Sequence, residues 1–208
     1  TLTVSDGIAP VAPVLTGGYA TTTAANSVPV EVNGEIGAAV WVNSVDTGSV
    51  VAGTAKVTIN LDTSGADGAK NFAIVLKDAA GNASTATNVS ITADRTAPSV
   101  VSMPVSGIGF TSATATFTVG ESGTGHYLAQ AGGAAPSVAT VATTGTSVAL
   151  TANSAQAVAL SGLTAGTAYT VYFVAKDALG NLPAAVSSGT FTTLNNTAPG
   201  VVANIWQG

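Results

Sequence analysis

The chain has no cysteine and very few charged residues, and each shortage excludes certain kinds of site and binding partner. Its 208 residues include no Cys, which excludes disulfides, thiolate metal sites and cysteine nucleophiles. Only 7% of the residues are charged, whereas an ordinary globular domain carries about 25%. Five cations stand against ten acidic residues. No basic patch can therefore neutralise phosphates, and nucleic-acid binding is not expected.

Long apolar runs, aromatic residues and histidine are also scarce. No stretch is long and apolar enough to predict a membrane span. Aromatic residues total 5%, too few to indicate a carbohydrate-binding platform. A Ser-His-Asp triad would have to use His126, the one histidine, and no nucleophile-elbow sequence accompanies it. We therefore predict no catalytic site and no enzymatic activity.

Small and β-branched residues take the place of the missing charges. Valine and threonine favour strands, and the 24 glycines punctuate the chain as short strands and turns require. With few lysines or glutamates to protect it, the surface consists largely of hydroxyl, amide and small apolar groups. Such a surface suits a protein that packs against copies of itself or is coated with glycan.

A short cassette occurs twice and divides the chain into modules. The sequence KDAAGN at Lys77–Asn82 returns as KDALGN at Lys176–Asn181. Each copy is followed by a Thr-Ala-Pro step, in Asp94–Pro98 and in Asn195–Pro199, and a degenerate version opens the chain at Asp6–Pro10. The three prolines are 88 and 101 residues apart, and each interval fits one small β-sandwich.

Period-2 alternation of apolar residues predicts the strands of the first module. In Lys56–Asp62 it points Val57, Ile59 and Leu61 inward, and Trp41 is expected in the interior of its strand. Asn33-Gly34 and the Ser64–Gly68 segment are expected to supply positive-φ turn residues. The predicted strands are Val28–Val32, Ala38–Asn43, Lys56–Asp62, Asn71–Lys77 and Val89–Ala93.

The run from Trp41 through Lys77–Asn82 to Asp94–Pro98 resembles the bacterial immunoglobulin-like repeats of large surface adhesins. In that resemblance, Lys77–Asn82 is the motif at the end of strand F, and Asp94–Pro98 is the junction between domains. The resemblance covers residues 6–97. It implies an antiparallel Ig-like sandwich, which agrees with the alternation of the strands.

The second module carries a different signal. Leu163 and Tyr169 stand six residues apart before an apolar strand, and a closing GTFTTL segment follows. This arrangement resembles fibronectin type III domains, and the resemblance implies that Tyr169 is a tyrosine-corner residue. Phe117 stands where that family has tryptophan in strand B, and Ala165 where it has proline. The predicted strands are Val100–Val105, Ala113–Val119, Gly125–Ala129, Ala157–Leu160, Tyr169–Asp177 and Thr190–Leu194.

The fold expected for the chain is all-β, with two tandem antiparallel β-sandwiches, Ig-like and then fibronectin-III-like, and an orphan strand at each end. The parts are residues 1–5, 6–97, 98–195 and 196–208. Two explanations of the end strands stay open: the chain is a fragment of a longer tandem array, or an end strand pairs with the open sheet of a neighbouring copy. The residues of these assembly strands are Leu2, Val4, Val201, Val202, Ile205 and Trp206.

Two kinds of site remain to be tested at the module ends. Related adhesin repeats bind calcium through junction carboxylates, which here implies Asp6, Asp78, Asp94 and Asp177. The alternative for Asp78 and Asp177, which the residues favour, is a turn that the aspartate caps and glycine allows. N-glycosylation acceptor patterns begin at Asn82, Asn88 and Asn195.

The function expected from these observations is structural. We expect an extracellular subunit or segment of a cell-surface filament, sheath, surface layer or adhesin stalk, whose partners are copies of itself. The alternative is a ligand- or glycan-binding module of an adhesin or of a secreted polysaccharide enzyme, with a surface glycan as partner. No cofactor is expected beyond calcium at the junctions.

Overall fold

The computed structural model describes residues 6–195, and the chain divides into two compact units between Arg95 and Thr96. Within the described residues, the regular structure of both units is strand apart from one short helix in the second unit. Among the described residues, no helix has the length and hydropathy needed to cross a bilayer.

The first unit is a sandwich of two sheets. One sheet has three strands in the order β1-β3-β6, and the other has five in the order β2-β8-β7-β4-β5. All pairs are antiparallel except β2 with β8, which is parallel. The strands are β1 (Val14–Thr16), β2 (Thr22–Thr23), β3 (Ser27–Asn33), β4 (Ala39–Val42), β5 (Val45–Val50), β6 (Lys56–Asp62), β7 (Gly68–Lys77) and β8 (Thr87–Ala93).

The alternation of apolar residues predicted from the sequence identifies core residues of the first unit. In β6, Ile59 and Leu61 are buried and Val57 packs against them, as the sequence pattern predicts. Three alternate valines of the neighbouring strand β3 lie on the same face of this sheet, and alternate residues of β7 in the other sheet belong to the same core. Each fully buried side chain of this size stabilises the fold by about 1.5–3 kcal/mol relative to exposure.

The expectation that Trp41 lies in the interior is wrong. Its neighbour Val40 is completely buried, so alternation directs Trp41 to the opposite face of the sheet. There Trp41 is half-buried, and the Lys77 Nζ atom lies 3.6 Å from its ring centroid. This cation–π contact contributes about 0.5–1 kcal/mol at a partly exposed site.

A tight hairpin joins β4 to β5, a strand that the sequence pattern did not indicate. The turn residues Asn43 and Ser44 have φ values of 49° and 69°, as a type I′ turn requires. The Asn43 side chain accepts from the Ala73 N–H at 2.8 Å and donates to the Asn71 carbonyl at 3.1 Å. These bonds fasten the turn to β7, together with a backbone bond from the Asn43 N–H to the Ala73 carbonyl at 2.9 Å.

Glycine at position 34 is required for space. Neither Asn33 nor Gly34 has a positive φ, so the expectation of a positive-φ turn there is wrong. A Cβ at Gly34 would lie 2.2 Å from the Leu76 Cδ1 atom. In the second predicted turn, Gly65 and Gly68 do have positive φ values, 83° and 120°.

Arg95 secures the last residues of the first unit. Its guanidinium donates to the carbonyls of Ala25, at 2.9 Å, and Thr63, at 2.7 Å. It also forms an ion pair with Asp67 at 3.4 Å. One side chain thus satisfies carbonyl groups from two separate loops, a role for which the planar fork of arginine donors is suited.

The second unit is also a two-sheet sandwich. One sheet has the order β10-β11-β14, with β9 also paired to β11, and the other has the order β13-β12-β15-β16. The elements are β9 (Val100–Ser102), β10 (Val105–Ser106), β11 (Ser112–Val119), β12 (Gly123–Gln130), α1 (Val138–Thr144), β13 (Thr146–Leu150), β14 (Gln156–Ser161), β15 (Ala168–Lys176) and β16 (Ser187–Thr192).

An aromatic stack fills the core of the second unit. The rings of Phe117 and Phe173 are nearly parallel with centroids 4.1 Å apart, and Tyr127 lies 5.6 Å from Phe117. Phe117 is completely buried, as expected of the residue that stands in for a strand-B tryptophan. Such aromatic pairs add about 0.5–1.5 kcal/mol beyond the area they bury.

The tyrosine corner predicted at Tyr169 is present. The Thr164 N–H donates to the Tyr169 hydroxyl oxygen at 2.9 Å, which ties the β14–β15 connection to the start of β15. The Tyr169 ring stacks on Phe191 with centroids 5.7 Å apart. The corner therefore links a loop backbone to β16 through one side chain.

A short helix that the strand pattern did not predict covers the outer face of β15. Val141 of α1 is completely buried against Tyr172 and Val174, so β15 packs on both faces. Ser137 caps the helix by accepting from the Thr140 N–H at 3.1 Å, which is the usual role of serine at this position. The helix is seven residues long and rich in Val and Thr, which favour strands in sequence reasoning.

Replacing Gly34 with alanine tests the close packing at that position. We expect Gly34→Ala to destabilise the first unit by about 1–3 kcal/mol, because the added methyl must displace Leu76 from a filled core. Gly53→Ala is the matched control, since a Cβ there meets nothing within 4 Å and its φ is not positive. Urea unfolding followed by NMR signals of the first unit measures both. Equal stability of the two variants would contradict the packing argument.

Candidate functional site

The repeated cassette forms a closed loop at the end of β7. The Asp78 carboxylate accepts from the Asn82 N–H at 2.9 Å and from the Asn82 Nδ2 at 2.8 Å. Gly81 has a φ of 91°, a conformation that glycine adopts without steric cost. The Asp-x-x-Gly-Asn pattern is therefore a turn that the aspartate caps and the glycine allows, as sequence reasoning favoured.

The second copy repeats this geometry at the end of β15. The Asp177 carboxylate accepts from the backbone of Leu179 at 2.9 Å and of Asn181 at 2.8 Å, and from the Asn181 Nδ2 at 2.6 Å. Gly180 has a φ of 92°, within one degree of its counterpart. Asp177 is buried, with 6% of its surface exposed.

The hydrogen bonds of the first cassette favour the ionised form of Asp78. Its pKa is lowered, chiefly by the hydrogen bond from the Asn82 side chain and further by backbone N–H groups of the loop. A lowered folded-state pKa contributes stability above the ordinary carboxyl pKa, and that contribution is lost as the pH falls through the lowered value. The loop is thus held more firmly at neutral pH than in strong acid.

Three carboxylates lie around one cavity at this end of the first unit. Asp6, Glu35 and Asp78 line a depression of about 570 Å³. The Asn82 Nδ2 also donates to the Asp6 carbonyl at 3.0 Å, so the cassette holds the start of the unit beside β7. Of the residues proposed for calcium, Asp6 and Asp78 line this one depression, while Asp94 follows β8 and donates its N–H to the Thr23 carbonyl.

Sequence reasoning missed the glutamates that accompany the cassettes. Glu35 stands two residues after the end of β3, and Glu121 two residues after the end of β11. In the second unit, Glu121 and Asp177 have carboxylate oxygens within 4.8 Å of each other. The strands predicted from the sequence end at Val32 and Val119, so the shared offset is visible only with the observed end of β3 at Asn33. Carboxylates suit calcium, but each aspartate already accepts the bonds of its turn, and calcium binding stays a prediction.

The three glycosylation patterns differ in the availability of the asparagine. Asn82 is half-buried, and its Nδ2 donates to Asp78 and Asp6, so it is a poor acceptor. Asn88 is exposed on β8, on the outer face of the five-stranded sheet. Asn195 is exposed, but the rest of its pattern lies outside the described residues. The structure thus leaves Asn88 as the best-placed candidate.

His126 and Glu31 have ordinary structural surroundings. His126 is half-buried on β12, between β13 and β15, so it does not lie on an edge strand. Glu31 forms an ion pair with Lys56 at 2.7 Å and accepts from the Thr16 hydroxyl. These contacts, the Lys56 bond first, lower its pKa. The assembly residues Leu2, Val4, Val201, Val202, Ile205 and Trp206 lie outside the described residues.

Comparisons with known proteins add solved structures of similar architecture. No protein-family model and no curated protein matches the chain. It is similar to the FN1–FN3 domains of chicken CNTN1, at 13% identity over 91% of this chain and 70% of that chain, with a TM-score of 0.43. It is also similar to the central fibronectin-III array of RIM-binding protein, at 18% identity over 92% and 70%, TM-score 0.34.

A third similar structure is that of domains A168–A170 of titin, at 13% identity over 85% of this chain and 62% of that chain, with a TM-score of 0.49. At these identities and scores the likenesses do not bear on function. The strand orders described above establish the architecture independently. The resemblance of the first module to bacterial adhesin repeats stays a prediction.

Removing the Asn82 side chain tests its effect on the cassette. In Asn82→Ala, the pKa of Asp78 is expected to rise toward its ordinary value, because the largest cause of its lowering is lost. The acid-induced loss of stability of the first unit should begin at a higher pH. Carbon NMR titration of the Asp78 carboxyl measures the pKa, with Asn71→Ala, an exposed site elsewhere on β7, as control. An unchanged Asp78 pKa would refute the assignment.

Proposed function

We propose that the chain is a structural component of an extracellular cell-surface assembly: a subunit or segment of a filament, sheath, surface layer or adhesin stalk. The observation that carries the proposal is the pair of self-contained sandwiches in series, each with its own buried core. The chain contributes length and cohesion, and a non-catalytic role is part of the proposal. Tandem Ig-like and fibronectin-III-like modules suit this role because each resists extension through its own strand ladders.

The surface supports contacts between copies. Val11 and Val14 are 83% and 58% exposed and line a depression of about 310 Å³ together with Gly34 and Glu35. With 7% charged residues in the whole chain, few charges would have to be desolvated when such surfaces meet. Further large apolar side chains are exposed at Ile8, Ile36, Val45, Val50, Val101, Phe110, Leu179, Leu182 and Leu194.

Assembly by strand donation is the mechanism that fits the end segments. The proposed donors are residues 1–5 and 199–208, which carry apolar side chains in β-favouring sequence. A donated strand adds main-chain hydrogen bonds to a sheet edge and places alternate side chains in pockets. When every copy donates one strand and accepts one, the copies join head to tail. Repeated head-to-tail contacts of this kind build a filament.

Electron microscopy and sedimentation of the purified chain test the structural proposal. We expect filaments or a ladder of oligomers that grows with protein concentration and persists at high salt, because the contacts involve few charges. A segment of a stalk would instead sediment as an elongated monomer. A compact monomer that turns over a substrate would contradict both forms of the proposal.

Glycan binding is a second candidate, favoured by the outer face of the five-stranded sheet. A shallow depression of about 370 Å³ lies over Ala73, whose small side chain leaves the space, between the exposed Asn71, Asn88 and Ser90. Trp41 lies on the same face. The side-chain amides of Asn71 and Asn88 suit the hydroxyl groups of a sugar ring.

A glycan array tests the second candidate. If this face binds a glycan, Asn71→Ala should reduce retention at least about tenfold, the effect of losing about 1.4 kcal/mol of binding free energy. Asn60→Ala is the matched control, because Asn60 is equally exposed but lies on the opposite sheet. No glycan retained by the unaltered chain, or equal losses in both variants, would exclude this face.

A further inference from the structure

The two units differ in how they protect the edges of their sheets. In the first unit, the edge strand β6 carries Lys56 and Asp62, and the edge strand β5 carries Asp46 opposite a register shift in β4. Charges and irregular pairing are the usual means of preventing a second chain from pairing with an edge. The two longer edge strands of this unit, β5 and β6, are therefore protected.

The second unit lacks that protection. Its edge strands β13, β14 and β16 contain no Asp, Glu, Lys, Arg or Pro. Met103 packs close to Gly189 of β16, and β13 has only five residues. That leaves β14, six residues long, as the edge best suited to accept another strand. Within residues 6–195, β14 pairs with β11 alone.

The backbone groups of β14 that face outward can be identified. Thr116 of β11 donates its N–H to the Pro104 carbonyl at 2.9 Å, on the side away from β14. Since Thr116 is opposite Ala157, alternation along the strand directs the N–H and C=O groups of Ala157, Ala159 and Ser161 to the open edge. These groups form a ready template for one more antiparallel or parallel strand.

A groove lies beside this edge. A cavity of about 450 Å³ is lined by Ala159 to Leu163 of the β14 end together with Tyr127, Ala129 and Tyr169. A strand on the β14 edge would cover the gap between the two sheets and place every second side chain in this groove. The lining is mostly polar, so a strand placed here would be held chiefly by main-chain hydrogen bonds to the β14 edge.

We propose that β14 accepts the segment Gly200–Trp206 of a second copy of this chain. This inference rests on the proposed function and names the acceptor and the donor for it. Thirteen residues follow Asn195 in the sequence, and the seven of this segment, in an extended strand, are enough to span the six residues of β14. Val201, Ala203 and Ile205 alternate along the segment, as the residues of a strand do, and neither partner carries a charge that pairing would bury.

A proline on the acceptor edge tests the proposal. In Ala159→Pro the outward N–H is lost and the ring blocks approach, while the ladder to β11 is kept, because proline is tolerated on an edge strand when its nitrogen faces solvent. The concentration needed for assembly is expected to rise at least about tenfold.

Thr58→Pro on β6 is the matched control. Thr63 donates its N–H to the Asn26 carbonyl on the β3 side, so alternation turns the Thr58 N–H to the open edge of the first unit. Thr58 is exposed, as Ala159 is. Assembly of Thr58→Pro should match that of the unaltered chain. Assembly of Ala159→Pro at the unaltered concentration would overturn the acceptor and leave the structural function standing, whereas an unaltered chain that never assembles would refute strand donation itself.

Crosslinking identifies the occupant directly, because the chain has no cysteine of its own. Ala159→Cys and Asn204→Cys are made in separate copies and mixed, and a short bifunctional thiol reagent is added. The proposal predicts two-copy products that join position 159 to position 204. A chain that carries both substitutions and crosslinks only within itself would show that the segment folds back on its own unit, which overturns donation between copies. Absence of any crosslink at 159 would also overturn it.

Discussion

Alternation of apolar side chains along paired strands is the constraint on which both units depend. Each strand presents one face to the opposite sheet, and the side chains on that face are buried. Examples are Ile59 and Leu61 in the first unit and Phe117 and Phe173 in the second. The backbone ladders satisfy the polar groups that this burial would otherwise leave unpaired. With neither disulfides nor many ion pairs to add stability, core packing and ladder hydrogen bonds carry the fold.

Strands in which apolar and polar residues alternate could be predicted from the sequence, whereas elements without this alternation could not. The bounds of β6 were predicted residue for residue, and the strand-F motif and tyrosine corner lie where the resemblances implied. In contrast, β5 is exposed along nearly its whole length, so no pattern marks it. The helix α1 is stabilised by tertiary contacts of Val141 that override the strand preference of its residues. Trp41 belongs to an apolar run and was expected in the interior, but the parity of its strand directs it outward.

The cassette was predictable as a turn, but its surroundings were not. The spacing of Asp78, Gly81 and Asn82 encodes the turn locally, so the sequence alone indicates it. The approach of Asp6 and Glu35 to Asp78 joins residues far apart in the chain and depends on the folded sandwich. The same long-range contacts separate the asparagines: Asn82 is engaged within the loop and Asn88 is exposed, although the acceptor pattern is the same.

The proposed structural role requires that the two sandwiches fold independently and resist a pulling force along the chain. Pulling a single chain between its ends in a force spectrometer tests this most directly. We expect two separate unfolding steps, because each sandwich has its own core. Each step should release about 30 nm of contour length, for roughly 90 residues at about 3.4 Å per residue. A single step that releases the whole chain at once, or extension without a resolvable step, would contradict it.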